Sequence, residues 1–194
     1  MKRRKGVSDM SHHDKNMVYV TDATERIVHW VLAGSCLFCL FSGLGLMFHT
    51  WHFIPSLLGG LYATKWMHMF SGLAFMVSLI YSFFMWVKDC TFEADDAKWI
   101  MQGGGYLWEA KNLPPVYKYN AGQKAFFWCI VLFGILISVS GLIMWDPLLF
   151  PVMVSRWAYT VHAMSAMVIG SFFVVHLYLG CLLYTSDAAD EEDS

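Results

Sequence analysis

Four long apolar stretches divide the chain, at residues 27–48, 66–87, 125–145 and 157–183, and none carries Lys, Arg, Asp or Glu in its interior. A bilayer core is crossed by about 20 helical residues. Inside lipid the backbone must satisfy its own hydrogen bonds, so each stretch predicts a helix. The expected fold is therefore all-α: an integral membrane four-helix bundle with helices near 27–48, 66–87, 125–145 and 157–180. A soluble protein of 194 residues is too short to wrap four wholly apolar helices in a polar shell.

Between and around these stretches the polar residues set an orientation. Of the 13 basic residues, 11 precede the first stretch or lie between the second and third; only Lys65 and Arg156 flank the other two loops. Positive charge stays on the cytoplasmic side. Both termini and the middle loop are expected to be cytoplasmic, with the short loops 49–65 and 146–156 outside. The first stretch starts after Arg26, is too long for a signal h-region and lacks a small-residue cleavage site, so it reads as a retained span. Residues 1–25 form a cytoplasmic arm, whose Lys2–Lys5 cluster is an orientation signal at an anionic leaflet.

Composition agrees: 57% of residues are hydrophobic and 14% charged, against about 25% charged in an ordinary soluble domain. Cys36, Cys39 and Cys129 read as small packing residues, and Cys90 as a free thiol at the cytoplasmic edge. After Gly180, five acids and no base follow, which is the wrong charge for a cytoplasmic exit. That string also looks like translated sequencing adapter, so residues 181–194 are expected to be a non-native tail. Without them the count is 13 basic against 10 acidic residues.

Ionisable residues inside a membrane are costly and mark function by default. Here they are histidines: His29 on the first helix, His68 on the second, His162 and His176 on the fourth. The expected topology puts His68 and His162 at the outer end, and His29 at the cytoplasmic end. His176 follows His162 by 14 residues, about 21 Å deeper and on nearly the same helical stripe. Topology thus pairs His29 with His176 and His68 with His162. Two imidazoles at one depth suit the axial ligation of a b haem, so two haem b groups are expected. The absence of CxxCH argues against covalent haem. Ser71-Gly72, Ala163 and the Ser-Gly-Leu runs at 42–44 and 140–142 offer small residues where a macrocycle approaches. A hydrogen-bonded packing or proton-relay histidine is the plainer alternative for any one of the four. His12 and His13 fall in the N-terminal arm; His49 and His52, beside Trp51, read as interfacial. Trp residues at the span ends read as interface anchors.

Several segments then resemble the membrane cytochrome b (gamma) subunit of respiratory formate dehydrogenase. They are Arg26-Ile27-Val28-His29-Trp30; His68 with Ser71-Gly72; Lys118-Tyr119-Asn120-Ala121-Gly122-Gln123-Lys124 followed by Phe127-Trp128; His162-Ala163; and Val175-His176-Leu177-Tyr178. The resemblance spans about 26–180, and the Tyr-Asn-Ala-Gly-Gln-Lys run is its most specific part. It implies His68 and His162 as ligands of the outer haem iron, and His29 and His176 as ligands of the cytoplasmic-side one. It implies Asn120, Gln123 and His176 as the quinone neighbourhood, with menaquinone or ubiquinone as acceptor. Electrons would enter from a periplasmic iron–sulfur subunit, and a molybdenum or tungsten subunit on another chain would oxidise formate. The membrane would be the bacterial inner membrane; no nucleic-acid partner is expected.

The residues allow this reading without demanding it. Amide side chains hydrogen-bond quinone carbonyls without fixing a charge, yet Asn120 and Gly122 could simply make a turn, with Gln123 an exposed first-turn residue. Arg26, one turn before His29, suits a haem propionate or a lipid phosphate. The loop 90–123 is long enough to fold over a quinone site, and its centre, 97–101, reads as a short interfacial segment. A cytochrome b serving a hydrogenase or another periplasmic oxidoreductase, and a membrane anchor with no redox role, are the alternative functions.

Overall fold

The computed structural model describes residues 22–102, 104 and 118–192, the side chains of 181–192 excepted. The N-terminal arm with Lys2–Lys5, His12 and His13, and most of the loop around Gly103, Gly105, Lys111 and Pro114-Pro115, lie outside the described residues. Among the described residues every regular element is helical: α1 Ala23–Met47, α2 Phe53–Leu57, α3 Leu61–Trp86, α4 Ala94–Met101, α5 Ala121–Trp145 and α6 Val152–Glu192. Four are long and apolar enough to cross a membrane: α1, α3, α5 and the Val152–Gly180 part of α6. The protein is a multi-pass membrane protein.

These helices begin four or five residues before the apolar stretches do, and for α1 and α5 the reason is a capped polar first turn. Asp22 accepts from the Ala23 amide at 2.6 Å, and the Glu25 carboxylate accepts from the Asp22 amide at 3.1 Å. Asn120 and Gln123 close the same reciprocal arrangement at the start of α5. Such a box satisfies amides that the first turn leaves without partners, so the helix extends into sequence too polar for lipid. α3 is preceded by Gly59 and Gly60 at φ 85° and 100°, a left-handed turn open to glycine. Loop residues 94–101 are helical as α4, three residues longer at the start than the expected 97–101 segment.

The spans form two hairpins, α1 with α3 and α5 with α6, each closely packed within itself; between hairpins the main contact is α3 against α5. Apolar side chains such as Val77, Phe84, Leu132 and Val174 face outward along the spans. The buried positions are instead rich in serine: Ser42, Ser78, Ser82, Ser140 and Ser165. Small residues let helices approach closely where lipid is as apolar as the side chains.

Gly45 is the tightest example on α1. A Cβ there would meet Ile54 Cγ2 at 2.6 Å, Ile54 Cβ at 2.8 Å and Pro55 Cδ at 3.0 Å. Ile54 is fully buried, stiff at χ1 and followed by a rigid ring. Gly45→Ala is therefore expected to destabilise the α1–α2 corner by about 1–3 kcal/mol, as overpacking does. Gly34→Ala, where a Cβ meets nothing within 4 Å, is the control and should melt with the parent. Thermal unfolding in detergent reads both; equal melting of the two variants would contradict the packing account.

Outside the spans, the middle loop is fastened to α5. The Lys124 ammonium donates to Asp96 Oδ2 at 2.7 Å, with both residues buried. Trp128 Nε1 donates to the Cys90 carbonyl at 2.9 Å. The Trp99 indole covers Gly122, whose added Cβ would meet it at 3.3 Å. Lys118 bridges Glu25 on α1 at 3.1 Å and Asp89 at 2.8 Å. Cys90 is free and buried; burial and the Asp89 carboxylate push its thiol up to about 11, so it stays protonated at neutral pH.

Candidate functional site

Four histidines meet between the two hairpins, in two pairs. His29 on α1 and His176 on α6 have ring centroids 6.3 Å apart at an interplanar angle of 49°. His68 on α3 and His162 on α6 have centroids 6.2 Å apart at 64°. Each pair takes one ring from each hairpin. On α6 the two pairs are 14 residues apart, about 21 Å along the helix.

The His68/His162 pair is held by hydrogen bonds. Ser42 Oγ donates its one proton along α1 to the Phe38 carbonyl at 2.7 Å. It lies 2.9 Å from His68 Nδ1, and with its proton committed it acts there as acceptor. His162 Nδ1 lies 2.9 Å from the Ile137 carbonyl, which only accepts, and 3.2 Å from Ser140 Oγ. Ser140 donates to the Leu136 carbonyl at 2.7 Å. Both imidazoles therefore carry the proton on Nδ1 and a lone pair on Nε2. The next residue in each case is glycine: a Cβ on Gly43 would meet His68 Cε1 at 3.3 Å, and one on Gly141 would meet His162 Cε1 at 3.2 Å. The repeated Ser-Gly pair thus seats the two rings in the same way on both hairpins.

The His29/His176 pair is held differently. Among the described residues neither ring makes a hydrogen bond. His176 stacks on Phe126 with centroids 4.8 Å apart and planes at 18°, and His29 meets Trp30 edge-on at 5.5 Å. Both residues are exposed, whereas His68 and His162 are half-buried. Arg26 is also exposed and lines a shallow groove on α1 with Ala23, Ile27, Trp30 and Val31.

Asn120 and Gln123 sit at the start of α5, one turn before the Phe126 that stacks on His176. Asn120 Oδ1 accepts from the Gln123 amide at 2.8 Å, and Gln123 Oε1 accepts from the Asn120 amide at 2.9 Å. Capping thus occupies the oxygen of each side chain. It leaves each –NH2, a two-proton donor, unused by the cap.

The arrangement suits a flat group with two open axial positions. Two metal–imidazole bonds of about 2.0–2.1 Å, plus roughly 1.1 Å from each nitrogen to its ring centre, separate coaxial centroids by about 6.2–6.4 Å. Both observed separations fit. Among the described residues no three His, Cys, Asp or Glu side chains gather as a metal cage. A porphyrin needs none, since it supplies four nitrogens and asks the protein for two. The glycines at 43 and 141 leave the backbone room that such a group requires beside its ligands.

The Ser42 and Ser140 hydrogen bonds were not foreseeable as such: the Ser-Gly-Leu repeat is visible in the sequence, but it reads there only as space. The Lys124–Asp96 contact has no local signal at all, because its members are 28 residues apart across a loop.

Comparison with known proteins gives the same class. The chain is 30% identical over 168 residues to the formate dehydrogenase cytochrome b556(fdo) subunit of Escherichia coli, covering 80% of this chain and 75% of that protein. It is 27% identical over 167 residues to the nitrate-inducible formate dehydrogenase cytochrome b556(Fdn) subunit of the same species, covering 84% and 77%. A formate dehydrogenase cytochrome b556 subunit of Haemophilus influenzae is 26% identical over 163 residues, with 79% and 66% covered. Residues 20–183 match the family model of prokaryotic cytochrome b561, which takes in all four spans and all four paired histidines. The chain belongs to the prokaryotic cytochrome b561 family, whose fold implies haem b.

Proposed function

We propose that this chain is the membrane electron-transfer subunit of a formate dehydrogenase complex in a bacterial inner membrane. It takes electrons from an iron–sulfur subunit outside and delivers them to a quinone, menaquinone or ubiquinone, on the cytoplasmic side. Formate oxidation belongs to a molybdenum or tungsten subunit on another chain. The observation that carries this reading is the pair of imidazole pairs, 6.2 and 6.3 Å between centroids, at opposite ends of one bundle. The names of the relatives supply the formate dehydrogenase context.

A b haem with two imidazole ligands supplies one-electron transfer and leaves no open iron position for oxygen chemistry. His68 and His162 hold the outer haem, and their Nε2 lone pairs are directed by the Nδ1 hydrogen bonds. His29 and His176 hold the cytoplasmic-side haem, with His176 steadied by Phe126. Arg26, one turn from His29 and exposed, is placed to meet a propionate. At the quinone end, Asn120 and Gln123 donate from their –NH2 groups to the quinone carbonyls while their oxygens keep capping α5. His176, one turn further in, links that pocket to the haem. The excess of basic residues in the middle loop supports a cytoplasmic side for this end, where protons for quinone reduction are at hand.

Capping and quinone binding make separable demands, which gives the test. Asn120→Asp and Gln123→Glu keep the capping oxygens but remove the amide donors, and Asp caps about as well as Asn. Each is expected to leave the melting temperature and haem content unchanged and to slow quinone reduction at least tenfold, about 1.4 kcal/mol per lost donor. Quinone reduction at the parental rate in both variants would remove the quinone role and leave only the cap.

A further inference from the structure

Several serines in these spans return their hydroxyl proton to the carbonyl four residues back, among them Ser35, Ser138 and Ser171. Of these back-bonded serines only Ser42 and Ser140 also meet a histidine ring nitrogen, at 2.9 and 3.2 Å. Both are almost fully buried, at 0% and 3% exposure. Each precedes a glycine that lets the imidazole lie against the helix backbone.

We propose that Ser42 and Ser140 are positioning residues of the outer haem, unequal in weight, and that Ser42 is the one that tunes its potential. This rests on the haem reading above. An acceptor on Nδ1–H fixes the tautomer, orients the ring and makes the ligating nitrogen more basic. A more basic ligand favours ferric over ferrous iron and lowers the potential. For His68 the acceptor at hydrogen-bond geometry is Ser42, with the Cys39 carbonyl only a looser partner. For His162 the Ile137 carbonyl, at 2.9 Å, shares the proton and remains when Ser140 is gone. No such acceptor faces His29 or His176 among the described residues, so the second haem serves as an internal reference.

The test is a redox titration of the full chain in membranes, following each haem by its spectrum, for Ser42→Ala and Ser140→Ala. Ser42→Ala is expected to keep both haems. At a fixed applied potential it should raise the reduced-to-oxidised ratio of the outer haem about tenfold, which for one electron is about 59 mV. The cytoplasmic-side haem should not move, and Ser140→Ala should change the outer ratio by less than about threefold. Because Ser42 is fully buried, Ser42→Cys is titrated beside it: the thiol keeps the volume but accepts weakly, and a shift in the same direction is expected. Two haems bound with no shift in Ser42→Ala and Ser42→Cys, or equal shifts from Ser42→Ala and Ser140→Ala, would overturn the proposal while leaving the haem assignment standing. A parent chain without haem would overturn both.

Discussion

Replacing His68 with alanine is expected to halve the haem bound per chain, from two to one, and replacing His176 is expected to remove the other haem. The expectation follows from the pairing of rings across the hairpins: His68 with His162 at 6.2 Å, His29 with His176 at 6.3 Å. On the proposed ligation, removing one imidazole would take away half of the protein's bonds to iron and leave an apolar void where the ring stood. The pairs are about 21 Å apart along α6, so the distant pair keeps its geometry. His162→Ala should therefore match His68→Ala, and His29→Ala should match His176→Ala. Combining His68→Ala with His162→Ala should lose no more than either alone, since both act on one group. Combining His68→Ala with His176→Ala should abolish haem binding. Reduced-minus-oxidised spectra and the haem-to-protein ratio decide the matter. If a single substitution removed both haems while the bundle stayed folded, or if His68→Ala and His176→Ala removed the same one, the pairing would be refuted.

Much of this arrangement could be read along the chain, for a definite physical reason. Lipid forces each span to be helical and apolar, so the four spans are visible as runs, and rise per residue converts sequence position into depth. Depth along the chain thus sets His29 beside His176 and His68 beside His162. What depth does not give is rotation and partners. The Ser42 and Ser140 hydroxyls look like space in a run of small residues; only the packed helices show them against imidazole nitrogens. Helices α1 and α5 start four residues before their apolar stretches, since apolar content says nothing about Asp22–Glu25 or Asn120–Gln123 closing capping boxes. For Asn120 and Gln123 the plainer reading, a capped turn, and the quinone reading turn out to use different atoms of the same side chains. The two are compatible, and the isosteric acids separate them.

Asp96→Asn is expected to cost about 3–5 kcal/mol, because it leaves the Lys124 ammonium buried without its partner. Lys124 is 3% exposed, and its Nζ lies 2.7 Å from Asp96 Oδ2. The same carboxylate also accepts from the Glu93 amide at 2.7 Å, closing the start of α4. One group thus ties α4 both to its own first turn and to α5, one residue past Gln123. An exposed pair on the same helix, Lys98 with Asp95 at 2.9 Å, supplies the contrast. Solvent screens it, so Asp95→Asn should cost no more than about 1 kcal/mol. Replacing both buried members with apolar residues, Lys124→Met with Asp96→Leu, removes charge and countercharge together and should recover most of the loss. The pH dependence has a definite sign. Burial alone would raise the Asp96 carboxyl, but the hydrogen bond and charge of Lys124, with the Glu93 amide, outweigh it and hold it below its ordinary value. A depressed carboxyl stabilises the fold fully above its unfolded pKa of about 3.9, and the contribution is lost as pH falls through the lower folded value. Melting temperature should therefore be flat from neutral down to about pH 5 and fall below about pH 4 in the parent, while Asp96→Asn lacks this part of the fall. Limited proteolysis gives a second reading at the same place: with the pair broken, the α4 segment should be cut faster while the four spans stay intact. Parental melting and parental cleavage in Asp96→Asn would mean that α4 is held by its other contacts, Trp99 among them, and that the buried pair contributes nothing to closing this end of the bundle.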